Sequence, residues 1–245
     1  MAQILAHRGA SKERPENTMA AFRRAQELGA YGIETDVHLL MDGTLAVHHD
    51  SELGRCENRQ GSIYEYNRER IKSFSAGAWF SPAYTEERVP CLEELLAFAR
   101  EKDLFLNIEI KRGTGFYFGD IGVRTVSMVK AYGLEEHCVF SSFQHDILSG
   151  IREHFPDACL GALYGKDFGM DMIAYARENG FRALHPHASA VNCAFVRRAH
   201  DAGIQVNVWT VDEPEQIREM LAAGVDRIIT NDPAGALAVC GQNPN

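Results

Sequence analysis

Two carboxylates stand two residues apart in Glu34-Thr35-Asp36, inside the apolar run Gly32–Val37. Residues i and i+2 of an extended strand face the same side, so both carboxylates point into one space. Asn107, Glu109 and Lys111 keep the same spacing in and just after the run Leu104–Ile110. Three carboxylates gathered in an interior are costly unless their charge is compensated. A hard divalent cation with oxygen ligands is the simplest compensation, and Lys111 is a second source. Spacing does not choose between Mg2+ and Ca2+. Paired structural carboxylates at a rim are the non-functional alternative for each group taken singly.

The histidines supply the other half of the chemistry. His7 closes the run Ile4–Ala6 and is followed by Arg8-Gly9. Asp42-Gly43, between apolar runs, signals a two-residue hairpin. Counting outward pairs Met41 with Thr44, Leu40 with Leu45 and Asp36 with His49. A slip of one residue brings His48 there instead. Two histidines flanking a cation offer a general acid and a general base near neutral pH. Arg8 and Lys111 suit a phosphate, and both also suit salt bridges to the neighbouring carboxylates. Trp209 reads equally as barrel core or as an apolar wall for a small polyol. His38, His48, His137, His145, His154, His187 and His200 read as satisfied or surface residues, and His185, at a strand end, is left open.

These groups must be carried by elements. Eight short apolar runs recur: Ile4–Ala6, Gly32–Val37, Leu104–Ile110, Cys138–Phe143, Ala158–Tyr164, Phe181–His185, Gln205–Trp209 and Arg227–Thr230. Amphipathic segments lie between them at Thr18–Leu28, Leu92–Lys102, Ile121–Tyr132, Asp146–His154, Met170–Asn179, Ala194–Ala202 and Pro214–Ala223. Alternation of this kind implies parallel βαβ units, and eight of them predict an α/β fold, a closed (β/α)8 TIM barrel. The rival is an open doubly wound sheet, but no G-x-G-x-x-G follows a strand. Asn17 is expected to cap the first helix, and Gly29, Gly133, Gly180, Gly203 and Gly224 to end helices. Residues 50–90 lack apolar periodicity and are expected to form a small insertion after the second strand, over the barrel mouth. One domain over residues 1–245 is the expectation. In such a barrel, catalytic side chains collect at the C-terminal strand ends, where His7, Glu34, Asp36, Glu109, Lys111, Ser141, His185, Trp209 and Asn231 fall.

Composition narrows the partners. The 245 residues carry 25 basic and 34 acidic side chains, a net charge of −9. Nothing in that balance attracts nucleic acid or an anionic membrane, and an anionic substrate would need a local positive centre. Cys56, Cys91, Cys138, Cys159, Cys193 and Cys240 show no C-x-x-C spacing and read as reduced, buried thiols of a cytoplasmic protein. No apolar stretch has membrane-spanning length and no signal peptide is visible. The sequence is silent on oligomeric state.

Taken together, His7-Arg8-Gly9, Pro15-Glu16-Asn17-Thr18, Glu34-Thr35-Asp36, His49-Asp50 with Arg55, Glu109-Ile110-Lys111, Val208-Trp209-Thr210 and Ile229-Thr230-Asn231-Asp232-Pro233 resemble the glycerophosphodiester phosphodiesterase family, of the bacterial cytosolic type. The pieces come in family order and span nearly the whole chain. The resemblance implies a metal-dependent hydrolase that cleaves glycerophosphodiesters to glycerol 3-phosphate and an alcohol. It implies one divalent cation on Glu34, Asp36 and Glu109, His7 and His49 as the acid/base pair, Arg8 and Lys111 on the phosphate, and Trp209 beside the glycerol. It also chooses His49 over His48. His48 and the Asn231-Asp232-Pro233 ending depart slightly from the family pattern. The Gly113–Gly119 stretch is expected to tune the leaving alcohol. The competing readings are a phosphoinositide-type phospholipase C and a non-catalytic phosphate-ester binding module. A small-molecule substrate, no nucleic acid and no stable membrane association are the expected partners.

Overall fold

Every residue of the strand Gly32–Leu39 is buried, the signature of a parallel strand covered on both faces. One face carries Ile33 and Val37, which join the main hydrophobic core. The other carries Gly32, Glu34 and Asp36. The same split recurs in the other barrel strands. Ile4, Leu106, Phe140, Leu184, Val206 and Ile228 pack outward against helices. Leu5, Phe105, Val139, Ala183 and Ile229 form a small apolar plug inside.

The computed structural model describes residues 2–113, 120–166 and 168–241. Its elements run β1 (Gln3–His7), α1 (Met19–Glu27), β2 (Gly32–Leu39), β3 (Leu45–Val47), β4 (Glu52–Leu53), β5 (Gly61–Ser62), α2 (Arg68–Ile71), α3 (Leu92–Lys102), β6 (Phe105–Ile110), α4 (Ile121–Ala131), β7 (Cys138–Ser142), α5 (His145–His154), β8 (Leu160–Tyr164), α6 (Met172–Asn179), β9 (Ala183–Pro186), α7 (Cys193–Asp201), β10 (Gln205–Val208), α8 (Pro214–Ala223), β11 (Arg227–Thr230) and α9 (Pro233–Val239). Strands β1, β2, β6, β7, β8, β9, β10 and β11 pair in parallel, and β1 bonds both β11 and β2, which closes an eight-stranded barrel with helices between the strands. The expected TIM barrel is therefore the observed one. The final helix α9, capped by Asp232 with Pro233 at its first turn, was not among the expected helices. Its residues are nearly all small and apolar, with no polar positions between them to mark out a periodic stripe.

Two local expectations are corrected. Thr18, not Asn17, caps α1, its hydroxyl accepting from the Ala21 amide at 3.3 Å. Asn17 adopts a left-handed φ of 52° and turns its side chain inward to β2. The hairpin β2–β3 pairs Leu39 with Leu45 and Val37 with Val47, one residue off the expected register. Gly43 at φ 85° donates its N–H to Leu40, so the turn is three residues long rather than two. Between β3 and α3 lie β4, β5 and α2, with a separate apolar cluster that includes Leu40, Ile63, Ile71, Phe74 and Val89. All six cysteines are free; Cys56, Cys91 and Cys138 are buried as expected, whereas Cys159 and Cys240 are partly exposed and Cys193, at the start of α7, is exposed. The 114–119 part of the glycine- and aromatic-rich stretch lies outside the described residues.

Gly32 shows how closely the barrel wall is built. A Cβ there would stand 2.2 Å from the carbonyl oxygen of Phe105 on β6, a backbone atom that cannot step aside. Gly32→Ala is therefore expected to lose about 1–3 kcal/mol of stability, read as a lower urea midpoint. An unchanged midpoint would show that β2 and β6 can part at no cost.

Candidate active site

The acidic cluster is assembled by strand register. Asp36 lies opposite Glu109 and Glu34 opposite Asn107 across the β2–β6 ladder. One oxygen each from Glu34, Asp36 and Glu109 falls within 4.8 Å of the others, and all three residues are buried. Lys111 Nζ sits 2.9 Å from Asp36 Oδ1 and also bonds Glu109. Arg8 Nε is 3.5 Å from Asp36 Oδ2, and the Arg8 amide donates to Glu34 Oε2 at 3.1 Å. Asn17 Nδ2 donates to Asp36 Oδ2 at 2.9 Å. Burial works against the Asp36 charge, but Lys111 and Arg8 more than offset it and hold the carboxyl below its ordinary range. Glu34 goes the other way, pushed up by burial and by Asp36 and Glu109. Burial likewise lifts Glu109 to about 7, Lys111 notwithstanding. Two cations therefore do not balance three buried carboxylates. Hard oxygen donors with charge left over are the set a divalent cation fits.

The two histidines face this cluster with the same ring edge committed elsewhere. His7 Nδ1 lies 2.7 Å from Asn231 Oδ1, and its Nε2 lies 3.8 Å from Glu34 Oε2. His49 Nδ1 lies 2.6 Å from Asp50 Oδ1. Amide and carboxylate oxygens only accept, so each ring carries its proton on Nδ1 and keeps Nε2 free. Burial, and then Arg8, lowers His7 to about 4. Burial also lowers His49.

A chain of charged groups connects His49 to Arg8. Asp50 Oδ2 accepts from Arg55 Nε at 2.6 Å. The Arg55 guanidinium clamps Glu16 in a bidentate pair at 2.7 and 2.8 Å, and Arg8 reaches Glu16 Oε1 from the other side at 2.7 Å. Glu16 and Arg55 entered the sequence reading only as parts of motifs. Their pairing across 39 positions leaves no periodic trace in the chain.

His48, not His49, follows the ladder, since its amide donates to the Asp36 carbonyl at 3.0 Å. Strand β3 has ended by then, and the chain turns. The His48 ring leaves for Glu57 at 2.6 Å while His49 lines the site. The hairpin count thus brought His49 to this cavity from a register that is one residue out.

A cavity of about 100 Å3 is lined by His7, Arg8, Glu34, His49, Glu109 and Lys111, with Phe143 and Trp209 on its apolar side. The Trp209 indole donates to the His185 carbonyl at 2.8 Å, and Phe143 meets its ring edge-on at 5.5 Å between centroids. His185 is fully buried, its Nε2 3.0 Å from Asn207 Nδ2. Burial and Arg227 lower it to about 3, so it is a neutral floor group. Gly161 makes room for it, since a Cβ there would stand 2.3 Å from its Nε2. Larger depressions of about 330 and 560 Å3 hold none of the paired histidines or clustered carboxylates. Size alone therefore misleads here.

With this geometry in hand, the relatives are informative. Residues 7–235 match the glycerophosphoryl diester phosphodiesterase family. The chain is 39% identical over 230 residues to a glycerophosphodiester phosphodiesterase of Caldanaerobacter subterraneus subsp. tengcongensis, covering 94% of each. It is 33% identical to one of Bacillus altitudinis over 98% of each. Among solved structures, an Oleispira antarctica phosphodiesterase in complex with the product sn-glycerol-3-phosphate superposes with a TM-score of 0.87 at 25% identity, over 98% of this chain and 97% of that one. The chain belongs to the glycerophosphoryl diester phosphodiesterase family and is an enzyme, a phosphoric diester hydrolase acting on glycerophosphodiesters. Enzymes of this family use a divalent metal, and the buried acidic cluster could bind one.

The Glu16 bridge yields a stability test. Burial opposes its charge, but Arg55 and Arg8 win and hold it at about 2 against an ordinary value of 4.5. A depressed carboxyl stabilises the fold above its unfolded pKa and loses that contribution as pH falls through the folded one. Glu16 should therefore contribute on the order of 2–3 kcal/mol near pH 5 that disappears towards pH 2. Urea titrations across that range are expected to be flatter with pH for Glu16→Gln than for wild type. Parallel curves would mean the two arginines do not hold the charge.

Proposed function

We propose that His7 and His49 are the acid/base pair, that Glu34, Asp36 and Glu109 hold one divalent cation, Mg2+ or Ca2+, and that Arg8 and Lys111 bind the phosphate. Trp209 lines the glycerol side. The observation that carries this reading is the pair of histidines, each with Nδ1 tied to an acceptor, on one small cavity with the acidic cluster. The products are glycerol 3-phosphate and a free alcohol. The chain works as one domain over residues 1–245, with 50–90 inserted over the barrel mouth. It acts in the cytoplasm without stable membrane association. The net charge of −9 supports that, and no described helix is long and apolar enough to cross a membrane.

A phosphodiester resists attack because its anionic oxygens repel nucleophiles. Arg8 and Lys111 neutralise that charge as it builds in the transition state. Glu34, Asp36 and Glu109 would hold a divalent cation, which would supply Lewis-acid chemistry at the phosphate. The glycerol 2-hydroxyl lies in the same molecule as the phosphorus, so its attack has the advantage of an intramolecular reaction. One histidine takes the hydroxyl proton at its free Nε2 while the other, entering the step as an imidazolium protonated at both ring nitrogens, gives its Nε2 proton to the leaving alcohol, forming a cyclic glycerol phosphate. Water then opens the ring with the two histidine roles reversed.

The first experiment is release of glycerol 3-phosphate from glycerophosphocholine, with and without EDTA, for wild type and His49→Ala. Release that EDTA abolishes, and that falls by about 10²–10⁴-fold in His49→Ala, is expected. Full release with EDTA present would refute the cation, and full release by the variant would refute the acid/base pair. A 2-deoxy glycerophosphodiester is expected not to turn over. Cleavage of it at the normal rate would exclude the cyclic route.

A further inference from the structure

The His7 ring rests on an amide, and an amide has two ends. Asn231 Oδ1 faces His7 Nδ1 at 2.7 Å and also accepts from the Ser11 hydroxyl at 2.9 Å. Its Nδ2 donates to Asp212 Oδ2 at 2.7 Å. The other oxygen, Asp212 Oδ1, accepts from the Asn231 backbone N–H at 2.8 Å and from the Thr230 hydroxyl at 3.0 Å. Asp212 sits in the loop between β10 and α8, and Asn231 follows β11, the barrel neighbour of β1, which ends in His7. An ionised carboxylate only accepts. Asp212 therefore takes the NH2 end of the amide and leaves the oxygen end for His7. Were the amide turned over, its NH2 group would face Nδ1. The ring could then meet it only by accepting at Nδ1, with its proton on Nε2, the nitrogen that faces Glu34.

We propose that Asp212 and Asn231 are positioning residues for His7: Asp212 fixes the orientation of the Asn231 amide, and the amide fixes His7 as the Nδ1–H tautomer with Nε2 free. This rests on the reading of His7 as half of the acid/base pair. The two histidines are then held differently, His49 by a neighbouring carboxylate in its own segment and His7 by a neutral amide polarised from a third loop. His7 thereby gains the orientation of a carboxylate-held ring with no formal charge on the partner of its Nδ1.

The test exchanges the partners. Asp212→Asn removes the acceptor-only group and frees the amide to turn. Asn231→Asp sets two carboxylates against each other. The double exchange D212N/N231D restores a chain in which the amide introduced at 212 donates to the carboxylate introduced at 231, and that carboxylate accepts from His7. Each single variant is expected to lose about 10–100-fold in kcat with KM within about twofold, the size of effect that a group orienting a ligand has. The double variant is expected to recover to within a few-fold of wild type. The ring nitrogen shifts of 15N-labelled His7 should show the Nδ1–H tautomer in wild type and double variant, and a mixture or the Nε2–H form in D212N. A D212N enzyme with wild-type kcat and tautomer would overturn the proposal, as would a double variant no better than the singles. His7→Ala separates the two ideas. If it is inactive while D212N is unaffected, only the positioning role falls. If His7→Ala is fully active, the acid/base reading falls and takes this inference with it.

Discussion

Three carboxylates buried on two neighbouring strands set the terms for the rest of this barrel. Bringing Glu34, Asp36 and Glu109 within 4.8 Å of one another costs on the order of several kcal/mol per buried charge unless positive charge comes with them. Lys111 and Arg8 come from the ends of the same and adjacent strands because only there can they reach Asp36. Even so, Glu34 and Glu109 stay above their ordinary range. The two cations thus leave carboxylate charge in the interior uncompensated, and the cluster could bind a further cation.

That requirement propagates outward through the polar side chains. Asn17 is held at a positive φ so that its amide can bridge Thr35 and Asp36. Glu16, its neighbour, is sandwiched by Arg8 and Arg55, and Arg55 in turn holds Asp50 against His49. Arg8 and His49 are therefore positioned by one ion-pair chain, although they arise from β1 and from the segment after β3. The apolar plug of Leu5, Phe105, Val139, Ala183 and Ile229 seals the barrel beneath, keeping the electrostatics at low dielectric, where each contact counts for more.

Much of this was legible because it is local. Alternation at period two told which carboxylates share a face, and the succession of apolar runs and helical segments told that the strands close into a barrel. The acidic trio followed from spacing within β2 and within β6. The histidine at 49 was harder. The hairpin turn has three residues, not two, and the ring's direction depends on where β3 stops and on Glu57 drawing His48 away. The helix cap failed similarly, since Asn17 has the right side chain for a cap but is taken by a buried carboxylate, and Thr18 does the work instead.

The sequence by itself determined the fold class, the family and the inward-facing acidic residues, because side-chain periodicity and short motifs are properties of neighbouring positions. Only the tertiary structure decided which partner each catalytic candidate meets. The Asn231 amide lies 224 positions from His7 and Glu16 lies 39 from Arg55. No pattern along the chain records such pairs. They exist because closure of the barrel sets β11 beside β1, and because buried polar atoms must find partners wherever the fold brings them.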